Sequence, residues 1–583
     1  MSNPARMEWV VAERAPDEFL RAFPGTHPLV AQVLWARGYR DAAAAGAFLS
    51  EDAAPPDLFA LPDMQPAVER LLRAIRAGER IAIYGDYDCD GVTACALLME
   101  ALAACGAQAQ VYIPDRFEEG YGLHASALDK LKADGVGLVV TVDCGARAGA
   151  EAAHAREIGL DLIITDHHEL ENSNLPDACA VINPRRADSA YPFVSLAGVG
   201  VAYRLAQALL SAARAETGQP VDFDEARLLD LVAIGTVADV VPLVGENRSL
   251  VQQGLRRINT QPRLGVRYLA AIAGAKIGAI TSAAIGFALG PRLNAAGRIE
   301  HARDAYDLLV ATDEPRAAEI ARRLNERNEQ RQNVTAGVAR SAEQQALETG
   351  GADVPLLFAA SEDYNAGVIG LAAARLMERY YKPAVVVATT MGEARGSCRS
   401  VNGFNITAAL DQCKDLLARH GGHAAAAGFS TPAVLLADLR DRLLNIAREQ
   451  QPAGGWTRAL SIDAEINLPM TTFETWEQLT RLQPHGMGNP QPVFAARGLT
   501  VHSVRRVGRK HSSDPAEQPP HLQLRLRDTR GATWPAIGWR MGERAAELRA
   551  GGSIDVAFQL DVNEWSGERS LQLLLQDFRA GQR

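Results

Sequence analysis

Four short apolar runs alternate with stretches of helical spacing between residues 80 and 166, and this alternation constrains the fold more than any other feature of the chain. The apolar runs are Ile81–Tyr84, Val111–Ile113, Leu138–Val142 and Leu162–Thr165. The helical spacing covers Val92–Cys105, Ala125–Lys132 and Ala148–Ile158. Strands that alternate with helices in this way form βαβ units around a parallel sheet. We therefore predict a doubly wound α/β domain.

Acidic residues and histidines directly follow three of these four strands. Asp86, Asp88 and Asp90 come after the first strand, Asp143 after the third, and Asp166–His168 after the fourth. Parallel strands place these ends on one edge of the sheet, which is the edge where ligands bind. Carboxylates packed so closely repel one another, and a bound cation relieves the repulsion.

The residue types at this edge indicate the metal and the reaction. Oxygen and imidazole ligands without thiolate favour Mn²⁺ or Mg²⁺ over structural zinc, although Cys89 and Cys144 lie beside them. Two such ions about 3.5–4 Å apart activate a water and stabilise charge on phosphate oxygens, so phosphodiester hydrolysis is the expected reaction. Each part also has a simpler explanation, such as a calcium-loop fragment, a helix N-cap or surface histidines. One metal site explains all the parts together.

Length and cysteine usage indicate several domains in a reducing compartment. A chain of 583 residues fits three or four domains. Its seven cysteines include no CxxC pair, which argues against a zinc knuckle and a disulfide framework. The first thirty residues lack the apolar core of a secretory signal. The most apolar window, Ala270–Leu289, contains Lys276 and predicts a buried helix pair rather than a membrane span. We expect a cytoplasmic protein.

The chain changes character three times beyond the first domain. Residues 301–350 are charged and poor in strand signals, and Ala317–Gln332 has the spacing of a long solvated helix. A second α/β pattern follows, and its elements are Pro355–Phe358, Val368–Arg379 and Ala384–Val387. Short alternating strands over Ser461–Phe578 predict a small β-barrel.

The barrel region has a positive net charge in an otherwise acidic chain. The net charge is −10, but Lys and Arg outnumber Asp and Glu from Arg497 onward. Arg525 and Arg527 alternate on one predicted strand and therefore share a face. Basic strand faces with aromatic side chains suit single-stranded nucleic acid, as in OB-folds. The other basic and aromatic candidates here are Arg505, Arg506, Arg509, Lys510, Trp534 and Trp539.

Four sequence motifs resemble those of the DHH phosphoesterase family. They are, in order, Asp86–Gly91, Val142–Gly145, Asp166–His168 and Val237–Asp239. Further segments resemble the RecJ branch of that family, and these are Pro114–Leu123, Gly290–Arg298 and Leu324–Arg331. The one departure is Cys89, at a position where the family usually has alanine. The resemblance covers the chain from about residue 80 onward.

This resemblance implies ligands for two metal ions. One ion would be bound by Asp88, with Asp86 beside it. The ligands of the other ion would be Asp90, His167 and Asp239. Asp143 would bridge the pair.

The resemblance also implies catalytic and substrate-binding residues. His168 would contact the scissile phosphate, and Asp166 would orient an imidazole. The 5′ phosphate of the substrate would be held by Arg298, Ser397 and Arg399. The glycine-rich motif of the family, which lets a backbone approach phosphate closely, corresponds to Gly421, Gly422 and His423. The remaining substrate-binding candidates are Arg116, Tyr121, Arg292 and Asn294. Close helix packing for the glycines, and solvation or an ordinary ion pair for any single arginine, are the simpler alternatives.

The motifs divide the chain into five parts. These are an N-terminal segment at 1–55, a DHH phosphoesterase domain at 56–300, a connecting helix at 301–350, a DHH-associated α/β domain at 351–452 and an OB-fold barrel at 457–583. The implied function is single-stranded-DNA-specific exonuclease action in the 5′ to 3′ direction, with Mn²⁺ or Mg²⁺, in DNA repair and recombination. Its implied partners are single-stranded DNA with a 5′ end, a single-stranded-DNA-binding protein and a helicase.

Two other functions fit part of the pattern. Another DHH phosphodiesterase, acting on short oligonucleotides or cyclic dinucleotides, would not need the long helix and the basic barrel. A catalytically inactive DNA-binding scaffold would not need the four motifs, in which no acidic or histidine position is missing. A nucleotide-binding Rossmann protein is disfavoured because no GxGxxG turn follows the first strand.

Overall fold

The computed structural model divides the chain into two units, and the division does not follow the order of the sequence. The structure describes residues 7–50, 56–116, 118–170, 175–217, 221–350, 353–390, 392–508, 519–565 and 568–581. The larger unit contains residues 52–456 and 484–489, and the smaller unit contains residues 1–51, 457–483 and 490–583. The amino-terminal segment and the barrel region therefore belong to the same unit.

The amino-terminal segment forms one strand and three short helices. They are β1 (Glu8–Val11), α1 (Asp17–Arg21), α2 (Pro28–Ala36) and α3 (Ala42–Leu49). Phe19 and Leu34 share one core with Phe558 of the barrel region. The Gln32 side-chain amide donates to the carbonyl of Asp463, which is 431 residues further along the chain. The sequence left this segment without a fold because its partners are so distant in the chain.

A five-stranded parallel sheet forms the first α/β domain, as the alternation predicted. Its strands are β2 (Arg80–Gly85), β3 (Gln108–Tyr112), β4 (Val136–Val142), β5 (Asp161–Thr165) and β6 (Ala180–Ile182). Their order in the sheet is β3-β2-β4-β5-β6. The chain leaves β2 for β3 on one side and returns to β4 on the other. Ligands bind at such a reversal, outside the carboxyl ends of β2 and β4.

Helices cover both faces of this sheet, which confirms the doubly wound fold. Along β2, Ile81 and Ile83 enter one core, whereas Ala82 and Tyr84 enter the other. The helices are α4 (Met64–Ala77), α5 (Cys89–Ala104), α6 (Ala125–Ala133), α7 (Gly149–Glu157), α8 (Gly198–Thr217), α9 (Leu229–Ala238), α10 (Gly245–Thr260), α11 (Leu264–Ile272), α12 (Ser282–Ala284), α13 (Gly290–Ile299) and α14 (Arg303–Leu309).

The predicted buried helix pair at Ala270–Leu289 is only partly correct. Two helical pieces are present, the end of α11 and α12 with a π-helical turn at Ile285–Leu289. They are not fully buried, because the turn exposes 87% of Phe287 and much of residues 271–279 faces solvent. Within the described residues, no helix is both long enough and apolar enough to cross a membrane.

The long connecting helix is α15 (Glu314–Gly350), so it begins at Glu314 and not at residue 301. Residues 303–309 form α14, which packs Leu308 and Leu309 into the first domain. The Asp313 carboxylate caps α15 by accepting the N–H of Arg316 at 2.8 Å. Proline in the first turn, here Pro315, is typical of a helix start, so the sequence carried this boundary signal.

The second α/β domain has a mixed five-stranded sheet. Its strands are β7 (Leu357–Ser361), β8 (Ala384–Thr390), β9 (Glu393–Arg399), β10 (Arg419–His423) and β11 (Ala426–Pro432), in the order β10-β11-β9-β8-β7. Only β7 and β8 pair in parallel. The helices are α16 (Ile369–Tyr380), α17 (Ile406–Asp411) and α18 (Leu436–Gln450). The glycine-rich segment forms the hairpin of β10 and β11.

A closed barrel occupies the carboxyl-terminal region, as predicted. Five strands pair in a ring in the order β14-β15-β16-β18-β17, and β17 pairs back onto β14. The elements are β12 (Ala459–Ile462), β13 (Ala464–Glu465), α19 (Phe473–Thr480), β14 (Phe494–Val507), β15 (His521–Arg527), β16 (Thr533–Gly538), β17 (Ser553–Trp565) and β18 (Glu568–Ala580). Strand β1 pairs in parallel with β12, which ties the amino-terminal segment to the barrel.

Candidate active site

The turn from β2 into α5 positions the first group of acids. The Asp88 carboxylate caps α5, because its Oδ1 accepts the N–H groups of Asp90 at 2.9 Å and Gly91 at 3.1 Å. Asp90 then points inward from the first turn of α5 and is buried. A Cβ at Gly91 would lie 2.6 Å from the carbonyl oxygen of Asp86, so this tight turn requires glycine.

The residue after β4 has an uncommon backbone conformation. Asp143 has a φ of 62°, in the left-handed region that non-glycine residues rarely adopt. Its carboxylate meets the start of α8, where a Cβ at Gly198 would lie 2.6 Å from Asp143 Oδ1. The same helix start donates the N–H groups of Gly198 and Val199 to Asp90, at 2.7 and 2.9 Å. The sheet edge and α8 together hold these two carboxylates.

Eight of the predicted residues converge at this edge. Their ligand atoms form overlapping groups within 4.8 Å, and two of these groups are Asp86, Asp88 and Asp143, and Asp90, His167 and Asp239. A third group contains Asp143 with Asp166, His167 and His168, and it shares Asp143 with the first group and His167 with the second. No cysteine belongs to any such group among the described residues.

The contacts of four buried atoms fit a bound cation. Asp86 Oδ1, Asp143 Oδ1, His167 Nε2 and Asp239 Oδ2 have no hydrogen-bond partner among the described residues. His167 Nε2 lies 3.2 Å from Asp143 Oδ1 and 3.6 Å from Asp239 Oδ2. Buried polar atoms normally have partners. Converging oxygen and imidazole donors are the donor set that Mn²⁺ and Mg²⁺ accept.

The pKa values at this edge show how unfavourable the negative charges are without a cation. Burial, and then the neighbouring carboxylates, raise the pKa values of Asp86, Asp143 and Asp239 well above their usual range. Burial and the charge of Asp88 raise the pKa of Asp90 to about 7. Burial and the charge of His168 lower the pKa of His167 to about 4, so its imidazole is neutral at pH 7 and carries a free lone pair.

His168 differs from His167 in its partners and in its charge. Its Nδ1 lies 2.8 Å from Asp166 Oδ1, and the Tyr121 hydroxyl lies 3.1 Å from the same nitrogen. Burial opposes protonation and is the largest single cause, but the hydrogen bond and charge of Asp166 and the charges of Asp86 and Asp88 together outweigh it and raise the pKa of His168. The imidazole that Asp166 orients is therefore that of His168. His167 is held by the backbone of Leu196.

Three predicted arginines form a basic pocket next to the acids. Burial, and then the charges of Arg116, Arg331 and Arg399, lower the pKa of Arg298 to about 10. The charges of Arg116 and Arg399 therefore reach Arg298. None of the three forms an ion pair within the described ranges. The guanidinium of Arg116 stacks 4.7 Å from the ring centre of Tyr87, in the turn after β2.

Ser397 and the start of α16 complete this pocket. Arg399 Nη1 donates to Ser397 Oγ at 3.2 Å, and Arg298 Nη1 donates to the carbonyl of Gly367 at 3.3 Å. A Cβ at Gly370 would lie 2.9 Å from Ser397 Oγ and 3.1 Å from Arg399 Nη2. The first turn of a helix therefore faces these side chains, and helix N-termini favour anions.

Two predicted substrate-binding residues have contacts within the protein. Asn294 Oδ1 accepts the N–H of Cys89 at 2.8 Å, which fixes α13 against the start of α5. Arg292 donates from Nε to Asn325 at 3.0 Å and from Nη1 to the carbonyl of Ala288 at 2.7 Å. Asn294 therefore positions the metal turn, and Arg292 keeps only part of its guanidinium free.

The glycine-rich hairpin shares rows of the second sheet with the pocket. Arg399 on β9 pairs with Ala426 on β11, and Ala426 pairs in turn with His423 on β10. These three residues therefore lie on one face of the sheet. In the same way Ser397 aligns with Gly428 and Gly421. A Cβ at Gly422 would lie 2.4 Å from the Ala426 carbonyl oxygen, whereas nothing lies within 4 Å of one at Gly421. Close strand packing thus explains Gly422 but not Gly421.

The barrel presents part of the basic face that its sequence predicted. Arg525 and Arg527 are exposed along β15, between buried leucines, and Arg505 and Arg525 line a shallow cavity. Trp534 does not join them, because it packs toward the barrel core and its indole donates to Asp528 at 2.9 Å. Trp539 is 60% exposed. Arg509 and Lys510 lie outside the described residues.

Sequence reasoning missed Leu196, Gly198 and Gly235. A Cβ at Gly235 in α9 would lie 2.8 Å from Asp90 Oδ1, so small residues surround the buried carboxylates. For the two glycines, the sequence signal was a glycine next to apolar residues of a helix. That pattern is common wherever helices pack. Only the fold shows that these glycines face acids.

Comparisons with known proteins agree with this geometry. Residues 80–236 match the model of the DHH family N-terminal domain, residues 353–450 match the DHHA1 domain, and residues 462–577 match the RecJ OB domain. The chain is 37% identical over 578 residues to the single-stranded-DNA-specific exonuclease RecJ of Bacillus subtilis, covering 98% of this chain and 71% of that protein. It is 34% identical over 536 residues to RecJ of Escherichia coli, covering 88% and 90% of the two chains.

The solved structures of RecJ from Thermus thermophilus share the fold. The structure in complex with Mn²⁺ has a TM-score of 0.82 and 29% identity, and covers 99% of this chain and 80% of that chain. The structure in complex with Mg²⁺ has a TM-score of 0.77 and 28% identity, and covers 99% and 79% of the two chains. From the three matched domain models, the identity to RecJ proteins along most of the chain and the shared fold, we conclude that this chain belongs to the RecJ family of DHH phosphoesterases.

Proposed function

We propose that this protein is a metal-dependent exonuclease that hydrolyses single-stranded DNA from its 5′ end, in DNA repair and recombination. One observation carries the proposal. Two groups of carboxylate and imidazole ligands are joined by the 3.2 Å contact between Asp143 and His167, and they lie next to an arginine pocket that has no ion-pair partner among the described residues. A cation site beside a phosphate site suits an enzyme that holds the end of a strand and cuts the next bond.

The two groups would hold the metal ions. Asp86 and Asp88 would bind one ion, and Asp143 would contribute to both. The other ligands of the second ion would be Asp90, His167 and Asp239. Bound Mn²⁺ or Mg²⁺ supplies an activated water and stabilises charge on phosphate oxygens.

His168 binds the scissile phosphate through its outer nitrogen. Asp166 holds Nδ1, so Nε2 is the nitrogen that remains for the substrate. The hydrogen bond to Asp166 favours the protonated imidazole, in which Nε2 can donate to a phosphate oxygen. The Tyr121 hydroxyl lies beside the same Nδ1, so both contacts are on the inner edge of the ring.

The arginine pocket gives the reaction its polarity. Arg116, Arg298, Arg399 and Ser397 bind the terminal phosphate, which carries more charge than an internal one and accepts several hydrogen bonds. The charge of Arg116 reaches Asp86, and the charge of Arg298 reaches Asp88, so the pocket is close to the metal ligands. A strand held there presents its first phosphodiester for hydrolysis.

End-labelled DNA tests the proposal directly. Single strands and duplexes with 5′ or 3′ labels are incubated with Mn²⁺ or Mg²⁺, and the products are resolved by length. We expect 5′ labels to be released from single strands as mononucleotides, while blunt duplexes resist. Release from the 3′ end, equal cleavage of duplexes, or activity limited to dinucleotides would contradict it.

The partners and the cellular location belong to the same proposal. The exposed arginines of β15 support binding of long single strands. A single-stranded-DNA-binding protein and a helicase would supply such strands, and co-purification with each tests this. The cytoplasmic location predicted from the cysteines is tested by cell fractionation.

A further inference from the structure

Three arginines from three helices meet near the 5′ pocket. Arg292 lies on α13, Arg331 on α15 and Arg375 on α16. Burial, and then the charges of Arg375 and Arg292, lower the pKa of Arg331. Arg331 is thus close enough to both of the other arginines to be repelled by them. The charge of Arg331 also reaches Arg298, so the cluster adjoins the pocket.

The lack of an ion pair at Arg331 contrasts with three other arginines of α15. Arg316 pairs with Glu319 at 3.3 Å, and Arg323 and Arg327 both pair with Asp304. Arg331, Arg292 and Arg375 form no ion pair with any described acid. Glu329 is near enough for its charge to raise the pKa of Arg292, but burial outweighs it.

The guanidinium of Arg331 is held in place with donors to spare. Its Nη2 donates to Oδ1 of the buried Asn328 at 2.9 Å. Its Nε is buried and has no partner among the described residues. In Arg292, Nε and Nη1 are used by Asn325 and Ala288, which leaves Nη2. Arg375 is exposed. A buried donor without a partner is destabilising unless a ligand accepts from it.

We propose that Arg331, Arg375 and Arg292 form a second phosphate site, which binds an internal phosphodiester of the strand whose 5′ end occupies the pocket of Arg298 and Arg399. The inference rests on the proposed function and adds a contact to it. A phosphate oxygen accepts from Nη1 of Arg331, which makes no hydrogen bond to a described residue, and its charge offsets the repulsion of Arg331 by Arg292 and Arg375. Binding at two points fixes the direction of the strand, so affinity depends on strand length.

Neutral backbone substitutions test this site. Single-turnover rates are measured against enzyme concentration in Mg²⁺, with 5′-phosphorylated single strands that carry one methylphosphonate at successive positions. For Arg331→Gln we expect the half-saturating concentration to rise about tenfold, with little change in the maximal rate. At one position, the methylphosphonate should weaken wild type by a similar factor and leave Arg331→Gln unchanged.

Two further variants keep the test clear. Arg375→Gln removes an exposed side chain. Like Arg331→Gln, it should raise the half-saturating concentration, and the methylphosphonate at that one position should not weaken it further. Arg322→Gln is the matched control, since Arg322 is exposed on α15 two and a half turns before Arg331 and therefore on the opposite face. It should behave as wild type at every position.

The outcomes separate this inference from the proposed function. If a methylphosphonate raises the half-saturating concentration of both variants as much as that of wild type at every position, the cluster does not bind the backbone and the inference is wrong. If the variants instead differ from wild type only in inhibition by a 5′-mononucleotide, the site binds product, which also overturns it. Failure of wild type to degrade unmodified single strands would overturn the proposed function itself.

Discussion

Asp143 combines an uncommon backbone conformation with a buried carboxylate that has several acidic neighbours. Its φ of 62° is unfavourable for most residues but tolerated by Asp and Asn. The carboxylate is 2% exposed, and its Oδ1 has no hydrogen-bond partner among the described residues. Such strain persists where the surrounding structure enforces it, most often at functional sites. Asp143 therefore lowers the stability of the metal-free protein.

Replacing Asp143 separates its charge from its conformation. Asp143→Asn keeps the left-handed backbone and the shape, so the variant should fold as wild type does. Loss of the connecting carboxylate should reduce hydrolysis by about a thousandfold or more, because metal ions contribute several kcal/mol at such sites. Asp143→Ala should lose hydrolysis and also unfold more easily, since alanine disfavours this φ. Cleavage rates and urea unfolding measure both effects, and near-normal cleavage by either variant would rule out a bridging role.

The same substitution should change how stability depends on pH in the absence of metal. The pKa of Asp143 is raised in the folded state, mainly by burial, so the folded protein binds this proton more tightly than the unfolded chain does. The stabilisation is complete below the unfolded pKa and is lost as pH rises through the folded value. In EDTA, the free energy of unfolding of Asp143→Asn relative to wild type should therefore increase as pH rises above the ordinary carboxyl value of about 4. A difference that does not change with pH would contradict this.

Arg399 should distinguish the 5′ end from the rest of the strand. Its guanidinium lies beside Ser397 and the start of α16, where a terminal phosphate finds several donors. Arg399→Ala should lower the cleavage rate of 5′-phosphorylated strands about tenfold and affect 5′-hydroxyl strands much less. Arg395→Ala on the same strand is the control, since Arg395 is exposed and lies near Glu393. An equal loss on both substrates would mean that Arg399 supports only general DNA binding.

At the scale of elements, the close contact between α13 and the turn after β2 determines where Arg298 lies. A Cβ at Gly297 would approach the Tyr87 carbonyl oxygen to 2.5 Å. Tyr87 stacks on Arg116, and Asn294 of the same helix holds the N–H of Cys89. The metal turn and the 5′ pocket are therefore supported by one helix.

Gly297→Ala should disturb both sites together. Because the contacted atom belongs to the backbone, the helix or the turn must move, and overpacking of this kind destabilises by about 1–3 kcal/mol. We expect a lower urea midpoint and a reduced cleavage rate. Gly337→Ala in α15 is the control, since nothing lies within 4 Å of a Cβ there, and it should stabilise by up to about 1 kcal/mol. Unchanged stability of Gly297→Ala would show that this contact is loose.

The elements also show what the sequence could predict. The strand ends with Asp86, Asp143 and Asp166 followed from alternation alone, because parallel strands place their carboxyl ends together. The start of α15 had a readable signal in Asp313 that was overlooked. The inward position of Trp534 had none, because it depends on the barrel register that pairs it with the buried Leu526. Partners such as Leu196 and Gly198 are set by packing between distant segments.

At the scale of the whole molecule, the amino-terminal segment folds with the barrel and not with the domain that follows it. Phe19, Val30 and Leu34 are buried in the same core as Phe494 and Phe558. Removal of the barrel alone would expose this apolar surface. The larger unit, by contrast, has its own cores on both faces of the first sheet and contains every predicted metal ligand.

A truncated protein should therefore fold only when the amino-terminal segment and the barrel are both removed. A fragment of residues 52–456 should stay folded and cleave short oligonucleotides, whereas a fragment of residues 1–456 should aggregate through its exposed helices. The first fragment loses residues 484–489, which cover Leu243, so a modest loss of stability is expected.

Without the basic face of the barrel, the fragment of residues 52–456 should bind long single strands more weakly and with a smaller dependence of affinity on salt, because fewer phosphates are neutralised. Gel filtration, thermal unfolding and binding at several salt concentrations measure these differences. Full affinity with the same salt dependence would mean that the barrel does not bind DNA, and a well-folded 1–456 fragment would mean that the amino-terminal segment is stable by itself.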